Sequence, residues 1–267
     1  MRKVLIFVAS GFSTRMGGFP KGLAEVRGVP VIVNAINNSR DLFDDTIIVA
    51  NHETRPRFES KIAEYADVVA GAEVREIVTG KGDAESVLKS LLLVRDELGE
   101  DFDATFCWGD AYFATPVAFE AMTDPSIDMD EVLSLLVGCS VDEDPYAYLD
   151  IRTVEGSFEL PLIEKAYFRK KNGPVKVGIH DQCIFRGRAE KVIESLRICQ
   201  QALGFDGTNY KKSPSGEIGL LNSFSILSEA GMPACAHLFS SGNVLSFNTQ
   251  EELDVIAAML QADNPST

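Results

Sequence analysis

The stretch from Val4 to Lys21 constrains the fold more than any other. Val4-Leu5-Ile6-Phe7-Val8 is an unbroken apolar run rich in branched side chains. A run of this length and kind reads as a strand buried on both faces, the usual state of a parallel sheet covered by helices. It leads straight into Ala9-Ser10-Gly11-Phe12-Ser13-Thr14-Arg15-Met16-Gly17-Gly18-Phe19-Pro20-Lys21. Small residues let backbone N–H groups come close to phosphate oxygens, and fixed cations neutralise charge that amides cannot. The loop therefore suits a polyphosphate, with Arg15 and Lys21 as its cations. It is not a P-loop, because no Gly-Lys-Ser/Thr closes it. Nor is it the dinucleotide fingerprint, because Arg15 stands where that turn keeps small residues.

Strand and helix patterns alternate from there. A helix is expected from Val31 to about Asn38, a buried strand over Asp44–Asn51 and a helix around Arg57–Tyr65. This order predicts a wound, mostly parallel sheet. Next, Glu76-Ile77-Val78-Thr79 reads as a short strand entering Gly80-Lys81-Gly82, with a long helix from Ala84 to Leu98. The apolar strand Ala104-Thr105-Phe106-Cys107-Trp108 then ends in Gly109-Asp110. Ligands of wound sheets bind at the carboxyl ends of strands, and a carboxylate there suits Mg²⁺, which takes one or two carboxylates plus substrate phosphates.

Further on, 132–141 reads as a strand, and 144–158 as a hairpin turning at Glu155-Gly156. Leu162-Ile163-Glu164-Lys165 follows, then an amphipathic helix from Ala189 to Leu203. A loop over 213–222 leads into a helix from Ser223 to Glu229. Near the end, Val244–Phe247 reads as a strand, and Thr249 with Glu252 fits a capping box opening a last helix. That accounts for Thr249 but leaves Asn248 unexplained.

The net charge of −15 argues against nucleic acid or an anionic membrane as partner. Five cysteines without Cys-x-x-Cys spacing predict reduced thiols in a cytosol. Three distant histidines offer no zinc pattern. Arg2-Lys3 precedes too short an apolar run for a signal peptide or a spanning helix.

The first loop resembles the signature loop of the nucleotidyltransferase superfamily, which includes sugar-1-phosphate nucleotidylyltransferases and molybdopterin nucleotidyltransferases. Ala9, Gly11, Ser13, Thr14, Arg15, Met16, Pro20 and Lys21 match its pattern, and Ser10 departs but is small. The short spacer Gly17-Gly18-Phe19 is closer to the molybdopterin branch. In uridylyltransferases a Gln-x-Gly-Thr-Gly-His-Ala segment holds the base; here Gly80, Gly82 and Ala84 match, while Val78, Lys81 and Asp83 replace Gln, Thr and His. A Gln amide pairs with a base edge and Val cannot, so uridine reading is not expected. Glu164-Lys165 resembles the Glu-Lys pair that meets the acceptor in sugar-type members, preceded by a strand containing Tyr148. His180-Asp181-Gln182 stands where that branch has Asn-Thr-Gly, and Glu217 falls in a segment similar to its Gly-Glu motif. Asn248-Thr249 resembles the Asn-Thr that supplies a second metal ligand.

The resemblance implies a three-layer αβα, Rossmann-like sheet of the glycosyltransferase-A type with a smaller acceptor lobe. It implies one domain over 1–267: a nucleotide part (1–111), an acceptor part (112–242) and a returning strand and helix (243–267). The implied activity is Mg²⁺-dependent transfer of a nucleoside monophosphate from a triphosphate to a phosphorylated small molecule, with a sugar 1-phosphate as first expectation. Arg15 and Lys21 are the implied catalytic cations, and Asp110 and Asn248 the Mg²⁺ ligands. Ala9, Ser10, Gly11, Phe12, Ser13, Val78, Gly80, Lys81, Gly82, Trp108 and Gly109 would bind the nucleotide; Tyr148, Glu164, Lys165 and His180 would bind the acceptor. A homo-oligomer is compatible with the sequence. Alternatives are a molybdopterin or phosphoalcohol acceptor, or a non-catalytic nucleotide-binding regulator. Sugar transfer from a nucleotide sugar would need Asp-x-Asp, and Trp108-Gly109-Asp110 lacks the first Asp.

Overall fold

The structure, a computed structural model, describes residues 1–153, 160–240 and 244–262. The Glu155-Gly156 turn lies outside them. The chain opens with β1 (Lys3–Val8), the hairpin β2 (Glu25–Val26) and β3 (Val29–Pro30), α1 (Val31–Asn38), β4 (Asp45–Ala50), α2 (Arg55–Glu64) and β5 (Ala72–Glu76). There follow α3 (Asp83–Leu98), β6 (Asp103–Trp108), β7 (Ala111–Phe113), α4 (Val117–Met122), β8 (Leu136–Glu143), β9 (Ala147–Arg152) and β10 (Leu162–Phe168). The rest is α5 (Arg169–Asn172), β11 (Val177–Arg188), α6 (Ala189–Ala202), α7 (Leu220–Glu229), β12 (Ala234–Leu238), β13 (Val244–Ser246) and α8 (Gln250–Ala262).

Nine strands form one sheet in the order β5-β4-β1-β6-β11-β8-β12-β10-β9. Following the pairings across it, only β10 and β11 run against the others. The mostly parallel wound sheet expected from the sequence is therefore present. β1 lies between β4 and β6, and Val4, Leu5, Ile6 and Phe7 have no exposed surface. Val4 and Ile6 pack to one side, with Leu88 and Leu91 of α3, Val192 and Leu196 of α6 and Phe224 of α7. Leu5 and Phe7 pack to the other, with Ile32 and Ala35 of α1, Phe58 of α2 and Phe119 of α4. Because strand side chains alternate faces, an uninterrupted apolar strand can stand only between two helical layers.

Three boundaries differ from the pattern reading. The strand expected before Gly80 ends earlier, as β5, whose Glu73 and Arg75 disguise it; at the sheet edge, with β4 its one neighbour, it can carry charge. β8 starts at Leu136 rather than 132. α7 starts at Leu220, so Asn222 is helical rather than in the loop. The cause is a cap from far away: Asp83 Oδ1 accepts the Leu220 N–H at 2.6 Å across 137 positions.

A two-stranded sheet positions the site. β13 pairs antiparallel with β7, with Ser246 opposite Ala111. This brings the end of the chain beside Gly109-Asp110. The five cysteines are free thiols, all but Cys183 buried. Among the described residues, no helix is long and apolar enough to cross a membrane.

Candidate active site

The site begins where β1 stops. Ala9 N–H donates to Val49 O at 2.8 Å, and Gly109 N–H donates to Val8 O at 3.0 Å, so three strand ends open at one level. The loop then coils through a single 3-10 turn, Thr14–Met16, entered by Ser13 and left by Gly17, both left-handed. Ser10 O anchors it from below, accepting from Asn51 Nδ2 at 2.9 Å and Thr79 Oγ1 at 2.7 Å. A second short turn, Lys21–Leu23, passes so near β6 that a Cβ on Gly22 would stand 2.5 Å from Gly109 O. Only glycine allows this approach, and it brings Lys21 to Asp110.

Four of the side chains expected at the site converge there. Lys21 Nζ lies 2.6 Å from Asp110 Oδ2 and 3.2 Å from Asn248 Oδ1. Arg15 Nη1 donates to the same Asn248 oxygen at 3.0 Å. The Lys21 side chain is 15% exposed and that of Asp110 30%, so their ion pair is partly shielded from water and stronger than a surface pair. Asn248 is fixed from behind: its N–H donates to the Glu252 carboxylate, and Thr249 Oγ1 accepts the Glu252 N–H at 3.2 Å. This is the expected capping exchange, with the Glu252 arm reaching one residue further back.

The opposite wall is the turn before α3. Gly80 N–H donates to Ser86 Oγ at 3.1 Å and Lys81 N–H to Glu85 Oε2 at 3.1 Å, so these amides are already occupied. Gly82, at φ 92°, would put a Cβ 2.2 Å from Ile218 O, and the loop before α7 closes over it. Lys81 Nζ donates to Asn209 Oδ1 at 2.5 Å. Asp83 accepts from the Ala84 N–H at 2.8 Å as well as from Leu220. Loss of hydration among its neighbours raises its carboxyl to about 6, against the pull of those N–H groups.

Between these walls lies a cleft of about 620 Å³, in the range of small-molecule sites. Ala9, Ser10, Gly11, Phe12, Ser13, Arg15, Lys21, Gly80, Lys81, Gly82, Trp108, Gly109, Asp110 and Glu217 line it. Val78 does not; it is 82% exposed. The strand that would have turned it inward ends two residues before it. Nor do the four acceptor candidates line the cleft. Tyr148 stacks on Tyr167 with centroids 5.3 Å apart, and Lys165 lies over Tyr167. Glu164 pairs with Arg152 at 2.8 Å in an exposed strand pair. His180 meets the carboxylate of Asp142 and the amide of Gln182. The lining also includes Asp83, noted as a replacement for His, and Phe58, Thr79 and Ser86, which pattern reading did not single out. Thr79 and Ser86 flank the glycines and could have been noticed; Phe58 carries no local signal.

The structure brings together a phosphate-type loop, two converging cations, a carboxylate at a strand end and an open cleft on an α/β sheet. Residues 5–133 match the MobA-like NTP transferase domain. This stretch, just under half of the chain, carries the first loop, the turn before α3 and Gly109-Asp110, and is similar to a nucleotidyltransferase domain. The chain is 36% identical over 72 residues to the molybdenum cofactor guanylyltransferase of Pseudomonas aeruginosa, a match covering 27% of this chain and only 34% of that protein. Solved structures share the whole fold at low identity. The inositol-1-phosphate CTP transferase of T. maritima superposes with a TM-score of 0.68 at 15% identity, covering 100% of this chain and 98% of that one. An apo UDP-glucose pyrophosphorylase gives 0.70 at 13% identity, covering 99% and 100%.

Proposed function

We propose that this protein transfers a nucleoside monophosphate from a nucleoside triphosphate to a phosphorylated small molecule and releases pyrophosphate. The observation that carries the reading is the convergence of Arg15, Lys21, Asp110 and Asn248 at the mouth of a phosphate-type loop. An acceptor phosphate is ionised at neutral pH, so one of its oxygens attacks the α-phosphorus in line while the bond to the β-phosphate oxygen breaks. Such a transfer needs positioning and charge neutralisation rather than a protein base. Lys21 holds the α-phosphate. Arg15 grips the β- and γ-phosphates and stabilises the departing pyrophosphate. The loop from Ser10 to Ser13 presents backbone N–H groups, and Trp108 offers a flat wall.

The donor set fits a hard divalent cation. A carboxylate oxygen and an amide oxygen already converge on one positive charge, the Lys21 ammonium. Asp110 and Asn248 would hold Mg²⁺, which when bound neutralises charge on phosphate oxygens.

The acceptor reading is a sugar 1-phosphate. Support comes from the likeness to sugar-type nucleotidyltransferases, which spans the full chain; Tyr148, Glu164, Lys165 and His180, within 112–242, would have to leave their present partners to meet an acceptor. A molybdopterin acceptor is the second reading, favoured by the short Gly17-Gly18-Phe19 spacer and the guanylyltransferase similarity. That similarity makes GTP the first nucleotide to try. Free thiols and the strongly acidic surface support a cytosolic enzyme working on small molecules.

Thermal shifts with ATP, CTP, GTP and UTP, each with Mg²⁺, test the reading. A ligand at about 100 times its Kd adds about 2.7 kcal/mol to stability. One triphosphate should stand out and lose its effect in Asp110→Ala. No shift with any of them, together with no pyrophosphate release, overturns the assignment.

A further inference from the structure

The two oxygens assigned to the divalent cation share one occupant. Lys21 Nζ donates to Asp110 Oδ2 at 2.6 Å and to Asn248 Oδ1 at 3.2 Å, so the ammonium sits where both donors point. An ammonium and a divalent ion cannot both use this pair of oxygens at contact distance. Arg15 also holds the Asn248 oxygen but not Asp110, so freeing the carboxylate requires that Lys21, Asp110 or Asn248 move when a metal enters.

The surroundings say which. Asn248 follows β13, paired to β7, and its N–H is tied to Glu252 at the start of α8. Asp110 joins β6 to β7 directly. Lys21 hangs from a single 3-10 turn on a flexible four-carbon stem. Its main-chain N–H is held to Ser13 Oγ by a long bond of 3.4 Å. The lysine is the part free to swing, and a phosphate chain along the first loop would supply its new anionic partner.

We propose that Lys21 is an internal competitor for the divalent cation, and that the metal gains its site only as the lysine transfers to the phosphates. The inference rests on the nucleotidyl-transfer reading above. It makes triphosphate and metal raise one another's affinity, since each removes what opposes the other. Without a triphosphate, the lysine keeps the metal out and balances the Asp110 charge.

Trp108 is the sole tryptophan, lines the cleft and lies two positions before Asp110. A terbium ion bound at Asp110 will therefore luminesce under tryptophan-selective excitation. Terbium is titrated into the full-length protein without nucleotide, as wild type, Lys21→Met, Arg15→Met and Asp110→Asn. Lys21→Met should bind at least about tenfold tighter than wild type, the gain expected when a coupled competitor is removed. Arg15→Met should tighten binding clearly less than Lys21→Met, because Arg15 holds only the Asn248 oxygen, whereas Lys21 holds that oxygen and the Asp110 carboxylate. Asp110→Asn should lose the signal. If Lys21→Met binds no tighter while Asp110→Asn still loses the signal, this inference falls and the transfer reading stands. Equal tightening in Arg15→Met and Lys21→Met also overturns it, because a general field would then be the cause. Unchanged luminescence in Asp110→Asn overturns both the inference and the metal assignment. Should Lys21→Met not fold, Lys21→Gln gives the same comparison.

Discussion

Arg15 Nη1 and Asn248 Oδ1 meet at 3.0 Å although 233 positions separate them. The contact joins the first loop to the last strand, so the site closes only when the whole chain has folded. Each residue reaches this point from an element with no shared local pattern: one from a 3-10 turn after β1, the other from the end of β13.

The cations should be separable from the fold. Arg15 is exposed and lies in a loop turn with no buried residue. Arg15→Ala should lower pyrophosphate release by about two decades, the loss seen when one preorganised charge donor is removed from a transferring group. Its urea midpoint should stay near wild type, as surface changes typically cost within about 0.5 kcal/mol. Steady-state kinetics beside urea titration checks both halves; a matching fall in stability would show that the loss is structural.

Asn248 and Thr249 are neighbours with different work. Thr249 Oγ1 caps α8 through the Glu252 N–H, while Asn248 Oδ1 faces Arg15 and Lys21. Thr249→Ala should cost about 1 kcal/mol of stability with modest change in turnover. Asn248→Ala should do the reverse, lowering turnover with a smaller stability loss. Chemical denaturation and kcat measured on both variants would show the crossing, and two parallel losses would refute the division.

Much of this site was legible because its chemistry is local. The phosphate-type loop starts where β1 ends, and Gly109-Asp110 directly follows β6. What escaped depends on distant partners. Asp83 caps α7 from 137 positions away, so Asn222 read as loop. Glu73 and Arg75 on an edge strand carry no apolar alternation, so β5 was placed too late and Val78 was expected inside. The acceptor candidates read from the Tyr148 and Glu164-Lys165 segments occupy their expected strands, yet they pair with Tyr167 and Arg152 rather than with the cleft.

The Asp103–Arg186 pair should prove the most sensitive charged contact in the fold. Their side chains are 10% and 6% exposed, held at 2.6 Å, with a second Arg186 arm donating to Met122 O at 2.7 Å. It ties β6 to β11 at the opposite end of β6 from Asp110. Arg186→Met should cost about 3–5 kcal/mol, because a buried carboxylate is left alone. Adding Asp103→Leu should recover most of that, since a hydrophobic pair avoids the desolvation cost. Urea midpoints of the single and double variants check this, and a double variant no better than the single would mean the pair contributes net stability.

Asp83 gives stability a pH dependence of its own. Its carboxyl is pushed up to about 6 from 3.8, chiefly by loss of hydration. Between those values the folded chain holds the proton more often than the unfolded one, so this group weakens folding as pH rises through about 4 to 6, and above that the loss stays constant. Asn cannot ionise, yet its Oδ1 can still accept the Ala84 and Leu220 N–H groups, which both bond that atom. Asp83→Asn should therefore be the more stable protein at pH 7.5. The margin should be about 1 kcal/mol, well under the full conversion, because the residue is exposed along the cleft and water screens it. It should shrink to nothing below pH 4. Urea midpoints of both proteins from pH 4 to 8 test this. A difference constant across that range would mean that Asp83 does not change charge there, and that its part is to cap α7 alone.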